Sequence, residues 1–223
     1  MAKILSSFKA GGRAVLAPIG GLLLRVGLTP DAVTVLGTVG VIVGACLVAA
    51  GHLVTAVFVT TFSALIDVID GSMAKMRGGA TRFGALLDSA MDRVADGAIF
   101  AGLTWWLLST DQWVAALLSL ICLVAGQVVS YVKARAESLG FSCDVGIAER
   151  LERLVIAGFG ALLTGLGVTW ALTAALWVLA VLSVITAAQR ILHVRAQDRR
   201  DRTEPADGSA SVEDGSASVE DGV

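Results

Sequence analysis

Apolar residues recur along this chain in runs of about twenty, separated by short polar breaks, a rhythm that predicts helices long enough to cross a bilayer. Six such runs are legible, at about 31–51, 53–76, 82–108, 112–138, 149–167 and 169–195. Thr29-Pro30-Asp31 punctuates the chain before the first run, with Asp31 as its expected cap. Upstream, residues of about 3–27 are apolar but interrupted by Lys3, Lys9, Arg13 and Arg25, which suits a helix lying along the membrane surface. A signal peptide would also begin this way, but no small-residue cleavage site follows. Beyond Gln197 the chain turns polar and repeats itself, GSASVED at 208–214 and again at 215–221, with too few apolar residues to fold. The expected fold is an all-α integral membrane protein with three parts. These are an interfacial amphipathic helix and linker over 1–28, six transmembrane helices over 29–196, and a disordered tail over 197–223.

Composition agrees with that pattern: 56% of residues are hydrophobic, and the mean hydropathy of +0.79 is too high for an ordinary soluble domain. The net charge of −2 hides an uneven distribution, because the tail holds eight acids against three arginines. All 17 Lys and Arg fall at one end of the expected bundle: four before the first helix, four around the second loop, four at the fourth, five after the sixth. By the positive-inside rule that end and both termini are cytoplasmic, in a multi-pass protein of the cell membrane. Trp105, Trp106, Trp113 and Trp170 gather at the other interface, as an aromatic belt does. Cys46, Cys122 and Cys143 lack paired spacing, and His52 and His193 are too few for a histidine site. Membrane lipid is the implied surrounding partner, and nucleic acid is not.

The chemistry concentrates between Asp67 and Asp92. Asp67 and Asp70 are three residues apart and Asp88 and Asp92 four apart, so each pair shares one helix face. A glycine-bearing basic loop from Lys75 to Arg82 is expected to fold the two helices into a hairpin. Four carboxylates converging there form an oxygen-rich cage for hard divalent cations. Ionisable groups inside membrane segments are costly and usually functional, which outweighs a purely structural pairing with Lys75, Arg77, Arg82 and Arg93. Asp67, Asp70 and Asp88 are the natural ligands, and Asp92 either bridges or serves as general base. Asp96, one turn deeper, is read as a supporting acid or as the partner of Arg93. Gly71, Ala74, Thr81 and Gly84 line the same faces and leave room for a bulky ligand, though small residues also serve close helix packing.

The spacing D67-x2-D70-G71-x2-A74, then G84-x3-D88-x3-D92, resembles the signature of the CDP-alcohol phosphatidyltransferases. One position departs, since the family usually has Arg after the alanine and this chain has Lys75, which keeps the charge but loses the bidentate fork. The resemblance implies CDP-diacylglycerol as a substrate, two divalent ions (Mg²⁺ or Mn²⁺) clamping its diphosphate, and a homodimer. It also strengthens Gly71, Ala74 and Gly84 as contacts of the nucleotide.

A second cluster sits at the cytoplasmic ends of the last three helices: Ser130, Lys133, Arg135, Arg153 and Arg190. Basic helix ends often serve only to anchor lipid headgroups. Here Ser130 and Lys133 share a face and Arg153 opens the neighbouring helix, so donors without matching acceptors gather as a phosphate requires. S-Y-V-K-A-R-A-E at 130–137 and G-I-A-E-R-L-E-R at 146–153 also resemble the actinobacterial members of the family whose acceptor is a phosphorylated inositol. The expected reaction is phosphatidyl transfer to a phosphorylated polyol, inositol 1-phosphate or, as runner-up, glycerol 3-phosphate, with Asp92 taking the acceptor's proton. The alternative from another class is a cation transporter with an aspartate relay, against which stand the nearly uncharged outer halves of the helices.

Overall fold

The computed structural model describes residues 18, 20–79, 81–147 and 149–203, without the side chains of Asp67, Val68 and Thr203. Six long helices follow one another there: α1 (Pro30–Ala49), α2 (Leu53–Met76), α3 (Arg82–Ser109), α4 (Trp113–Ser138), α5 (Arg150–Gly165) and α6 (Ala171–Thr203). No strand occurs among the described residues. Four of the helices, α1, α2, α4 and α6, are long and apolar enough to cross a membrane. α3 has the length, at 28 residues, but it carries Asp88, Asp92, Arg93 and Asp96. α5, at 16 residues, extends only about 24 Å at 1.5 Å per residue, less than the ~30 Å of a hydrocarbon core.

Local chemistry sets the helix starts. At α1 the cap is Thr29, whose hydroxyl accepts from the Ala32 N–H at 3.2 Å, and Pro30 takes the first helical position. Asp31, expected as the cap, lies instead in the first turn, where its charge still complements the helix dipole. Thr81 caps α3 by accepting from the Gly84 N–H at 2.9 Å. The far end differs more from expectation, because α6 runs on to Thr203, past Arg195. An i,i+4 pair, Arg202 to Asp198 at 3.1 Å, supports that solvated extension.

The two aspartate helices do not form a simple hairpin. α1 packs against both α2 and α3 and is the main neighbour of each. α4 packs against α3 and α6, and α5 against α6 and α2. A Cβ on Gly102 of α3 would stand 2.5 Å from the Ala45 carbonyl oxygen of α1, so only glycine allows that approach. The main core joins Phe100, Leu103 and Leu107 of α3 to Leu118 and Cys122 of α4 and to Leu172, Leu176 and Leu179 of α6. Large apolar side chains such as Phe58, Phe62, Trp177 and Val181 remain exposed around it. Only a lipid surround tolerates that much exposed apolar surface, so the protein is membrane-integral.

Of the expected interfacial helix, residues 1–17 and 19 lie outside the described residues, as does the tail from 204. Residues 20–25 are helical. Leu23, Leu24 and Leu28 pack on Val33 of α1 and on Ile69 and Met73 of α2.

Candidate active site

The site forms where the starts of α1, α3 and α5 meet the ends of α2 and α4. On α2, Asp70 is 6% exposed and accepts the Thr34 hydroxyl of α1. One turn earlier in α1, Asp31 reaches α3, with its Oδ1 3.1 Å from where a Cβ on Gly84 would lie. Asp31 and Thr34 share a face, so one side of α1 touches both signature helices. Motif spacing offered no signal for either residue, because they contribute from a helix outside it. Gly71 faces open space, with nothing within 4 Å of a Cβ built there. Ala74 is half-buried on the same helix, and Asp88 is exposed on α3.

The oxygen donors at this site suit a hard cation, being carboxylates beside an open glycine face. Among the described residues no three His, Cys, Asp or Glu side chains gather as a metal-ligand set. The side chain of Asp67, a member of the expected set, lies outside those residues, while its backbone is helical and three positions from Asp70.

Deeper on α3, the carboxylates meet arginines of α5. Arg150 donates from Nη1 to Asp92 Oδ1 at 2.7 Å and from Nε to Asp96 Oδ1 at 3.1 Å. Arg153 donates from Nη2 to Asp96 Oδ2 at 2.8 Å and is 1% exposed. The Asp96–Arg93 pairing considered from sequence therefore gives way to Asp96 with Arg150 and Arg153. Arg93 instead donates to the Ser89 carbonyl of its own helix. Arg150 escaped the sequence reading because nothing in its spacing sets it apart from Arg153.

Arg153 lies against α4 at Gly126, where a Cβ would come within 3.2 Å of its Cζ. Its Nε and Nη1 have no hydrogen-bond partner among the described residues. Buried guanidinium donors without partners are rare and costly.

The rest of the basic cluster lies further along α4 and on α6. Ser130 is half-buried on α4, and Arg135 is exposed with Nη1 3.4 Å from the Ser138 hydroxyl. Lys133 donates to Asp144 Oδ1 at 2.6 Å. That ammonium holds the Asp144 carboxyl below the usual carboxylate range, chiefly through the hydrogen bond. Arg190, buried on α6, donates from Nε to the Val145 carbonyl and from Nη1 to the Val129 carbonyl, both at 2.8 Å. Its Nη2 lies 3.6 Å from Glu149. Arg190 thus ties residues 139–149 to α4, and Gln197 ties them to α6 through Ser142, donating to its carbonyl at 2.7 Å and accepting from its N–H at 3.1 Å.

Comparison with known proteins gives the arrangement its relatives. A family model described as CDP-alcohol phosphatidyltransferase matches residues 27–186. The phosphatidylinositol phosphate synthase of Mycobacteroides abscessus is 50% identical over 184 residues, covering 80% of this chain and 82% of that protein. That of Mycolicibacterium smegmatis is 48% identical over 197 residues, 86% of this chain and 89% of the relative. The crystal structure of Mycobacterium tuberculosis phosphatidylinositol phosphate synthase with CDP-DAG bound superimposes with a TM-score of 0.78 at 42% identity, over 92% of this chain and 100% of that one. The same enzyme in complex with manganese and citrate gives 0.76 at 46% identity, over 81% and 88%.

Proposed function

This chain belongs to the CDP-alcohol phosphatidyltransferase family, and from that premise we propose that it transfers the phosphatidyl group of CDP-diacylglycerol to a hydroxyl of inositol 1-phosphate, giving phosphatidylinositol phosphate and CMP. Family membership leaves the cation-transporter alternative without support. The observation that carries the acceptor assignment is Arg153, a buried guanidinium with two unpartnered donors, one helical turn from the arginine that holds Asp92. An uncharged polyol has no use for such a group, whereas a phosphate meets it with a charge-assisted pair. The relatives named above support the same acceptor.

Asp67, Asp70, Asp88 and Asp92 would hold two divalent ions, Mg²⁺ or Mn²⁺. Such ions, when bound, neutralise the substrate's diphosphate and the charge that develops on departing CMP. Gly71, beside Ala74, leaves the cytidine side of the nucleotide room on α2, while Thr81 caps α3 and Gly84 lets Asp31 approach it. Ser130, Lys133, Arg135, Arg153 and Arg190 receive the acceptor phosphate and aim a hydroxyl toward Asp92. Asp92 takes the hydroxyl proton as the oxygen attacks the phosphorus that bears diacylglycerol, and the bond to CMP breaks. Positioning and charge neutralisation carry phosphoryl transfer, so no covalent protein intermediate is required.

α3 and α5 complete six membrane-crossing helices with the site at the cytoplasmic end, a reading supported by the one-sided distribution of basic residues. Partial burial of α3's charges against α5 removes the objection to its crossing. The family resemblance supports a homodimer.

The test is CMP release by the purified protein in lipid micelles, with inositol 1-phosphate, glycerol 3-phosphate, free inositol and serine offered in turn. Inositol 1-phosphate is expected to be preferred, and activity should vanish with a chelator and return with Mg²⁺ or Mn²⁺. Equal use of free inositol or serine would overturn the acceptor assignment while leaving phosphatidyl transfer intact.

A further inference from the structure

At the end of the bundle away from the aspartates, two of the tryptophans do more than face lipid. Trp106 and Trp170, with Gln112, Thr164, Thr169 and Thr173, line an open cleft of about 460 Å³, within the ~300–1,000 Å³ of small-molecule sites. Trp106 lies about 21 Å from Asp92 along α3 at 1.5 Å per residue, so the cleft is separate from the carboxylate site.

Three turns build it. The Trp106 indole is half-buried against the main core, and its Nε1 lies 3.5 Å from where a Cβ on Gly51 would stand, so the α1–α2 turn backs it. Gln112, just before α4, donates its amide to the Thr110 hydroxyl at 3.0 Å, which leaves its carbonyl oxygen to accept. Thr164 donates to the Val168 carbonyl at 3.3 Å and accepts from the Leu172 N–H at 2.9 Å, fixing the α5–α6 turn that carries Thr169 and Trp170. Thr173 follows in the first turn of α6. Thr60 and Thr104 return their hydroxyls to the carbonyl four residues back. Among the described residues the Thr169 and Thr173 hydroxyls have no hydrogen-bond partner, so both are available to a ligand.

The lining holds no Lys, Arg, His, Asp or Glu. It therefore offers a phosphate no counter-charge, and a cation no carboxylate. What it does offer is indole surface beside neutral donors and acceptors. A pyranose presents the matching surface, with C–H groups on its ring faces and hydroxyls around its edge. Leu108 and Leu166, exposed two positions beyond Trp106 and Thr164, add apolar surface on which acyl chains below such a ring could rest. We propose that this cleft binds a neutral sugar ring, free or carried as the headgroup of a glycosyl diacylglycerol. The proposal does not depend on the phosphatidyl-transfer reading, and its test requires no turnover.

The experiment uses the full-length protein in phosphatidylglycerol nanodiscs prepared without glycosidic detergent. In one arm glucosyl diacylglycerol, or diacylglycerol with the same chains, is titrated in and the retained molecules are counted by native mass spectrometry. In the other, methyl glucoside is titrated and read by saturation-transfer NMR, with choline and inorganic phosphate as controls. Glucosyl diacylglycerol should be retained in preference to diacylglycerol. A saturation-transfer signal from methyl glucoside shows that the ring suffices, whereas retention of the lipid without that signal assigns the cleft to a headgroup. Trp170→Ala, at a side chain 69% exposed, should abolish whichever signal the parent shows. Thr173→Val keeps the shape and removes one hydroxyl, and should weaken the apparent affinity about fivefold, as loss of one net hydrogen bond does. Melting followed by circular dichroism establishes that each variant folds, and Trp170→Leu replaces Trp170→Ala should the latter not. No preference for the glycolipid together with no signal from methyl glucoside overturns the proposal. So does binding of equal strength in the parent and the folded variants, or a stronger signal from choline or phosphate than from methyl glucoside.

Discussion

At the scale of single residues the decisive group is Arg153, because its environment is paid for in stability. A guanidinium 1% exposed, with one carboxylate partner and two donors left over, costs the fold unless an anion completes it. Charge-assisted hydrogen bonds contribute roughly 1.5–3 kcal/mol each, so Arg153→Ala should raise KM for inositol 1-phosphate by about tenfold or more, with CDP-diacylglycerol binding nearly unchanged. Gly126 gives an independent check without removing any charge. Since a Cβ there would lie 3.2 Å from Arg153 Cζ, Gly126→Leu should displace the guanidinium and reproduce the acceptor defect in the same KM assay. A normal KM in a folded Gly126→Leu protein would mean that the position of Arg153 is not what the acceptor reads. Arg153 was legible in the sequence as a basic residue opening a helix. Its burial and its sharing of Asp96 with Arg150 were not, because those depend on which face of α5 meets α3.

At the scale of elements, residues 139–149 act as a strap between α4 and α5. Gly146 has φ +139°, and a Cβ there would stand 2.6 Å from Thr186 Cγ2, so both backbone conformation and space demand glycine. The strap is also held by charge, through Lys133 and Asp144. Because the folded Asp144 carboxyl titrates below its ordinary value of 3.8, that contact contributes fully above 3.8 and is lost only as pH falls through the lower folded value. Amide exchange in 139–149, corrected for intrinsic rates, should therefore be flat from neutral pH down to about 4 and rise below it. In Asp144→Asn the exchange should already be raised at pH 7. Exchange in the parent that climbs between pH 7 and 5 would show that another group holds the strap. In the sequence the strap was only the break between the apolar runs at 112–138 and 149–167. Its ties to Arg190 and Gln197 join residues 45 and 55 positions apart, beyond any local pattern.

At the scale of the whole molecule, orientation follows from where charge can reside. Single cysteines placed at Thr110 and Val168, in a background with Cys46, Cys122 and Cys143 replaced by serine or alanine, should react with an impermeant maleimide from outside the cell. Cysteines at Gly78 and Gly140 should react only after permeabilisation. Labelling of Gly78 from outside would invert the bundle and place the aspartates on the wrong side for a cytoplasmic nucleotide. Two helices bear on the count of crossings, since α3 is charged and α5 short. Crossing by either would require partners that neutralise and cover it, which hydropathy along the chain does not register.

The helices were legible along the chain, because twenty-residue apolar runs between polar breaks have few other solutions in lipid. It located α2 at 53–76 with both ends in place, and it singled out the aspartate signature, whose spacing is covalent and whose faces follow from the helical repeat. The tertiary structure decided what lies between those faces. α1, outside the signature, packs on both of its helices and brings Thr34 to Asp70 and Asp31 toward Gly84. It also decided that Arg150 would span Asp92 and Asp96, and that α6 would continue to Thr203 so that Gln197 could hold Ser142. The physical reason is the same in each case. A helix's periodicity says which residues share a face, but the face a neighbour presents is settled only when all the helices pack together.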